Sequence, residues 1–237
     1  MDRARQIELL QADCATLLAA QQADPTAPAW AGLGWDRTEL LGHLADVHRR
    51  ILAQLQAGTA ERIRFSEVAP APRGDELPGA FDAGVAALVT SLEVIDLDET
   101  WPTWAGPQRG AFYPRRMAQE AAVHRWDGAG GEIDAALAVD GVDELLELFV
   151  PRLSVDRFAS VDGSIHLHAT DRDGEWLVRL SPEGVSYEHG HAKGDVALRG
   201  SAADLLLWSW NRVPVDDRFE VFGDAALLET WRTTVIF

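Results

Sequence analysis

The apolar spacing of this chain changes once, between residues 130 and 134, and that change sets the broad architecture. Ahead of it, apolar side chains recur at helical spacing; beyond it, short alternating segments are punctuated by glycine. The spacing predicts a first helix over about residues 2–23, ended by Pro25 and Pro28. A second starts at Asp36, where Glu39 completes a capping-box pattern. It runs to Gly58 with a stripe of Leu40, Leu44, Val47, Ile51 and Leu55. After a loop containing Pro70, Pro72, Arg73 and Gly74, a third helix covers about residues 77–95. Residues 101–107 read as a loop, and a fourth helix covers about residues 112–127 before Gly128, Gly130 and Gly131. Four helices of this length suggest a bundle, whose interior is a common place for metal sites.

The second half opens with a helix over about residues 142–153. Four strand-like segments follow, at 164–169, 176–180, 185–188 and 195–199. Gly163, Asp173-Gly174, Pro182-Glu183-Gly184 and Gly194 separate them, which reads as an antiparallel sheet built from hairpins. Helices over about 201–210 and 224–230 close the chain. The expected fold class is therefore α+β: a four-helix bundle over residues 1–131 and a smaller α+β domain over 132–237.

Charge and composition narrow the function. A formal charge of −17, from 38 acidic against 21 basic residues, repels phosphate backbones and anionic lipid surfaces, so neither nucleic acid nor membrane is the expected partner. No apolar run is read as reaching the ~20 residues that span a bilayer. Residues 1–6 lead into a mixed polar pattern, not a signal-peptide core, which makes the cytoplasm the default address. The single cysteine excludes an internal disulfide and any cysteine-rich zinc module. Cys14 falls on the stripe Ile7, Leu10, Cys14, Leu17 and is expected to be buried and inert, so any thiol chemistry uses an external thiol.

The chemistry concentrates in residues 115–127. Glu120 and His124 lie four apart, so a carboxylate oxygen and an imidazole nitrogen reach one point beside the helix. An i,i+4 hydrogen bond on a solvated face gives the same spacing. However, Tyr113, Met117, Glu120, His124 and Asp127 fall within about 80° of the helical wheel, a stripe shared with apolar side chains. A zinc-type site needs a third ligand and an open position. His43 and His48, both on the second helix, are candidates: His48 sits inside the apolar stripe, and His43 about 100° from its centre. Asp127 is placed to accept the second ring N–H of His124, or else to pair with Arg125. Trp101, Trp104 and Trp126 are candidates for the mouth of a pocket, with core packing the plainer role. His166, His168, His189 and His191 are not expected to form a second cluster, because the turn carrying the last two has no evident reason to lie near the strand carrying the first two.

The stretch from Gly34-Trp35-Asp36 through His43-Leu44 and Val47-His48-Arg49, followed by residues 115–127, resembles the mycothiol-dependent maleylpyruvate isomerase family. The resemblance implies a DinB-like four-helix domain, then a smaller α+β domain. It implies zinc or another divalent transition metal on His43, Glu120 and His124; by their positions in the sequence, His48, Asp127 and Trp126 are the candidates for supporting or substrate-binding roles. It also matches Arg212 to an arginine associated with activity, expected to approach the metal across the domain interface and pair with a substrate carboxylate. The implied function is a thiol enzyme that adds mycothiol to a small electrophile, either isomerising it or transferring the sulfur. The chain departs from the family pattern at Leu33, before Gly34-Trp35, and at Gln119, before Glu120. The same metal set would also suit a hydrolase that activates water, or a non-catalytic binding protein.

Overall fold

The computed structural model describes residues 1–236, which form two compact units, Met1–Glu132 and Ile133–Phe237. The first unit is built on α1 (Arg3–Ala23), α2 (Arg37–Ala57), α3 (Leu77–Val94) and α4 (Phe112–Ala129). Each helix packs mainly on two neighbours, in the order α1, α4, α2, α3 around the bundle. The Asp36–Glu39 capping box forms: Asp36 Oδ1 accepts from the Glu39 amide at 2.8 Å, and Glu39 Oε2 accepts from the Asp36 amide at 3.0 Å. Two otherwise orphaned amides at the start of α2 are thereby satisfied.

Leu10, Leu17, Leu40, Leu44, Leu88 and Leu92 are fully buried between the helices. α4 meets them with small side chains, Ala118, Ala121 and Ala122, followed by Gly128. A Cβ on Gly128 would stand 2.5 Å from Leu17 Cδ1 and 3.0 Å from Leu40 Cδ2, so glycine allows α4 its close approach to α1 and α2. Arg125 closes the end of α4, donating to Asp13 Oδ1 at 2.8 Å and to the carbonyls of Gly130 and Glu132.

Two expectations for this half are corrected. Residues 101–107 are not a loop but most of a hairpin, β1 (Thr100–Thr103) and β2 (Gly106–Arg109), with Pro102 opposite Pro107. Proline is tolerated because this two-stranded ribbon has only edge strands, and the Thr103 hydroxyl, bonded to Gly106 O and the Ala105 amide, ties its turn. The segment Gly74–Val94 is, by length and composition, apolar enough to cross a membrane, contrary to the reading of the sequence. Its Leu77, Phe81, Leu88, Val89 and Leu92 are buried in the bundle.

In the second unit, β3 (Gly163–Ala169), β4 (Glu175–Ser181), β5 (Gly184–His189), β6 (Val196–Gly200) and β7 (Glu220–Gly223) form one sheet in the order β5-β4-β3-β6-β7. Three of its four pairings are antiparallel; β3–β6 is parallel, a long-range pair that hairpins cannot supply. Ile165, Leu167, Trp176, Val178 and Leu198 share the apolar face by register, and β3 packs against α6 (Ala202–Ser209) and α7 (Ala226–Thr234). The preceding helix starts earlier than expected: α5 is Ala135–Glu144, capped by Asp134, and widens into a π turn over Leu145–Phe149. Pro151 follows, and its missing N–H and ring bulk account for the loss of regular α geometry in that stretch.

Candidate metal centre

His43 projects from the second turn of α2 and Glu120 and His124 from the middle of α4, two adjacent helices of the bundle. One donor atom from each lies within 4.8 Å of the others. Glu120 Oε1 is 3.5 Å from His43 Nε2 and 3.4 Å from His124 Nε2. These gaps exceed the 2.7–3.2 Å of a good N–H···O bond. They match the ~3.3 Å edge of a tetrahedron with metal–ligand bonds of ~2.0–2.1 Å. Two imidazole nitrogens and a carboxylate fit a divalent transition ion, with room for a fourth ligand.

The surroundings fix each donor. Arg116 Nη2, one turn back on α4, donates to Glu120 Oε2 at 2.6 Å. Burial opposes ionisation of Glu120, but Arg116 and the two imidazoles outweigh it and hold the carboxyl well below its ordinary range. His124 Nδ1 lies 2.9 Å from Asp127 Oδ2, whose side chain is fully buried. Burial would lower the His124 pKa, but Asp127 and Glu120 raise it to about 9. Asp127 thus takes the ring-orienting position, and Arg125 pairs with Asp13 instead. The Trp35 ring lies 5.1 Å from His43, centroid to centroid. Asp46, one turn after His43, accepts from Arg73 Nη2 at 2.6 Å and from the Ala71 amide at 2.6 Å, which pins the 71–73 segment against α2.

His48 is not part of the converging set. It is buried, stacks on Phe81 with centroids 5.5 Å apart, and neither ring nitrogen has a hydrogen-bond partner among the described residues. Burial pushes its pKa down to about 4, so it is a neutral core ring within electrostatic reach of the three donors.

Residues 7–129 match the model of the mycothiol maleylpyruvate isomerase N-terminal domain, which is more than half of the chain, and residues 136–230 match the MDMPI C-terminal domain. The chain belongs to the mycothiol maleylpyruvate isomerase family. Its fold is similar to that of a crystal structure of the mycothiol-dependent maleylpyruvate isomerase, with a TM-score of 0.62 and 14% identity over 93% of both chains. A histidine-to-alanine mutant of that isomerase gives a TM-score of 0.67 and 13% identity over the same shares. No curated protein sequence matches the chain.

Of the remaining candidates in this family member, Arg212 belongs to the second unit, just beyond α6. Its Nη1 donates to Trp210 O at 3.1 Å, and its guanidinium carbon lies 5.8 Å from the Trp210 ring centroid. Trp126 is half-buried and leaves α4 about 200° around from His124, away from the ligand stripe. Trp101 is buried against Tyr113, whereas Trp104 lines an open cleft with Arg50, Gln54, Arg62, Thr103 and Tyr113. Arg50 follows His43 by seven residues, and Tyr113 precedes Glu120 by seven, about 10 Å of helix in each case.

Sequence reasoning missed two residues of the site, Arg116 and Trp35. Arg116 was legible as an i,i+4 partner of Glu120, and Trp35 as the residue preceding the α2 cap. The expectation for the other histidines is also corrected. His166, His168 and His191 converge on Glu175, while His189 turns to Asp143, Nε2 to Oδ1 3.4 Å.

Proposed function

We propose that this protein is a metal-dependent thiol enzyme of the maleylpyruvate isomerase type, with His43, Glu120 and His124 holding zinc or a similar divalent ion and mycothiol as the co-substrate. The observation that carries the reading is the single oxygen, Glu120 Oε1, held 3.4–3.5 Å from two imidazole nitrogens at separations too long for good hydrogen bonds. Family membership supports the thiol. When bound, the ion supplies the Lewis acidity that keeps a thiol deprotonated at neutral pH.

The chain's own groups do the rest. Asp127 holds His124 with Nε2 turned toward Glu120, and Arg116 keeps Glu120 ionised. Cys14, buried and with its thiol pushed up by burial, does not compete as a sulfur nucleophile. Addition of the external thiolate to the double bond of a cis-enoyl dicarboxylate, rotation and loss of the thiolate give the trans isomer; release of the adduct instead is S-transfer. Arg50 and Arg62 give the cleft cationic side chains in a chain of net charge −17, and Arg212 is assigned to a substrate carboxylate. The reading places the protein in the cytoplasm, where a low-molecular-weight thiol is available. Metal analysis of the untagged protein tests the ligand assignment: His43→Ala and His124→Ala each lower the metal content by about one equivalent per chain. Unchanged content removes the reading.

A further inference from the structure

We propose a second divalent transition-metal site, on the sheet of the second unit, formed by His166, His168, Glu175 and His191. His166 and His168 alternate onto one face of β3, and the antiparallel register puts Glu175 of β4 directly opposite His168. β5 ends at His189, opposite Trp176. Gly190 then takes a φ of 112°, a conformation that favours glycine, and donates its amide to Glu175 O at 3.0 Å. That turn folds His191 back over the strand. Glu175 Oε2 lies 2.9 Å from His166 Nε2 and 2.8 Å from His191 Nδ1, and Oε1 lies 3.3 Å from His168 Nδ1.

One ligand atom from each of the four side chains lies within 4.8 Å of all the others. Each contact taken singly is also what a carboxylate accepting from a neutral imidazole would give. Such hydrogen bonding gives no reason to gather three rings from two separate chain segments, least of all His191, whose side chain is 79% exposed. A cation at their centre does. Three imidazoles and one carboxylate select a borderline transition ion of the zinc class over magnesium or calcium. Arg199, opposite His168 on β6, does not oppose it, because its guanidinium is taken by Glu220 at 2.7 Å. Four protein donors complete a tetrahedron, so the site is a clip that ties the turn after β5 to β3 and β4, not a catalytic centre. It does not depend on the function of the first unit.

The test is zinc binding to the full-length, untagged protein by equilibrium dialysis, in a His43→Ala/His124→Ala background that lacks the first site. That variant retains about one zinc per chain, and zinc raises its Tm. Adding His168→Ala and His191→Ala, both surface-accessible positions, removes the zinc and the Tm response while leaving the far-UV circular dichroism unchanged. Absence of zinc from the background variant, or its retention after the histidines are removed, overturns the proposal. Glu175→Gln, which keeps the side-chain shape, is expected to weaken zinc binding at least tenfold; unaltered affinity counts equally against it.

Discussion

Arg116 and Glu120 stand one turn apart on α4 with Nη2 and Oε2 2.6 Å apart, leaving the other oxygen of the same carboxylate to face His43 and His124. The Arg116 side chain is 6% exposed, so this is a buried ion pair whose second oxygen is reserved for something else. Without a metal, Arg116 is the main counter-charge for Glu120.

Arg116→Met therefore destabilises the metal-free protein by about 3 kcal/mol, the range for stranding one partner of a buried pair. Zinc restores much of that loss, because the ion becomes the counter-charge. Denaturant unfolding with and without zinc checks this: the zinc-dependent gain is larger in the variant than in the parent protein.

Asp127→Asn removes the carboxylate that orients the His124 ring. Metal affinity falls about 10–100-fold with the fold intact. A chelator-competition titration reads the change, and a bound metal of undiminished affinity would mean that Asp127 only caps the helix.

The pH dependence follows from His124. Its pKa rises from 6.5 to about 9 in the metal-free fold, so at pH 7 the ring carries a proton that a metal must displace. Zinc affinity rises by about tenfold per pH unit above neutrality and levels off near pH 9. Folding stability moves the opposite way: the contribution from the raised pKa is fully present below pH 6.5 and is lost as pH rises through about 9. Stripped protein thus loses stability over that window, measured by urea unfolding at a series of pH values.

Cys14 is 2% exposed and its thiol is pushed up by burial. The native protein is unreactive toward a thiol reagent that labels it at once in denaturant. Cys14→Ala costs about 1 kcal/mol of stability and leaves turnover nearly unchanged.

The helices were legible because local signals agree: the Asp36–Glu39 box, the leucine stripes and Gly130 all act within a turn or two. The β1–β2 hairpin was hidden by Pro102 and Pro107, which read as breakers unless their pairing is known. β7, four residues at the sheet edge, has too little alternation to read, and the parallel β3–β6 pair is a long-range choice. At the site, Glu120 and His124 follow from helical spacing alone. His43 came from family resemblance, since it sits half-exposed at the bundle's edge, where burial periodicity favours His48. The His191 contact depends on the backbone angle at Gly190, which no side-chain pattern records.

The central claim is tested most directly by the turnover of a cis-enoyl dicarboxylate, measured with mycothiol present or absent and with the metal stripped or restored. The account predicts that turnover requires both, returns when zinc is added back, and falls by at least a hundredfold in His43→Ala and His124→Ala. Turnover at full rate without a thiol, or undiminished turnover in either histidine variant, would contradict it.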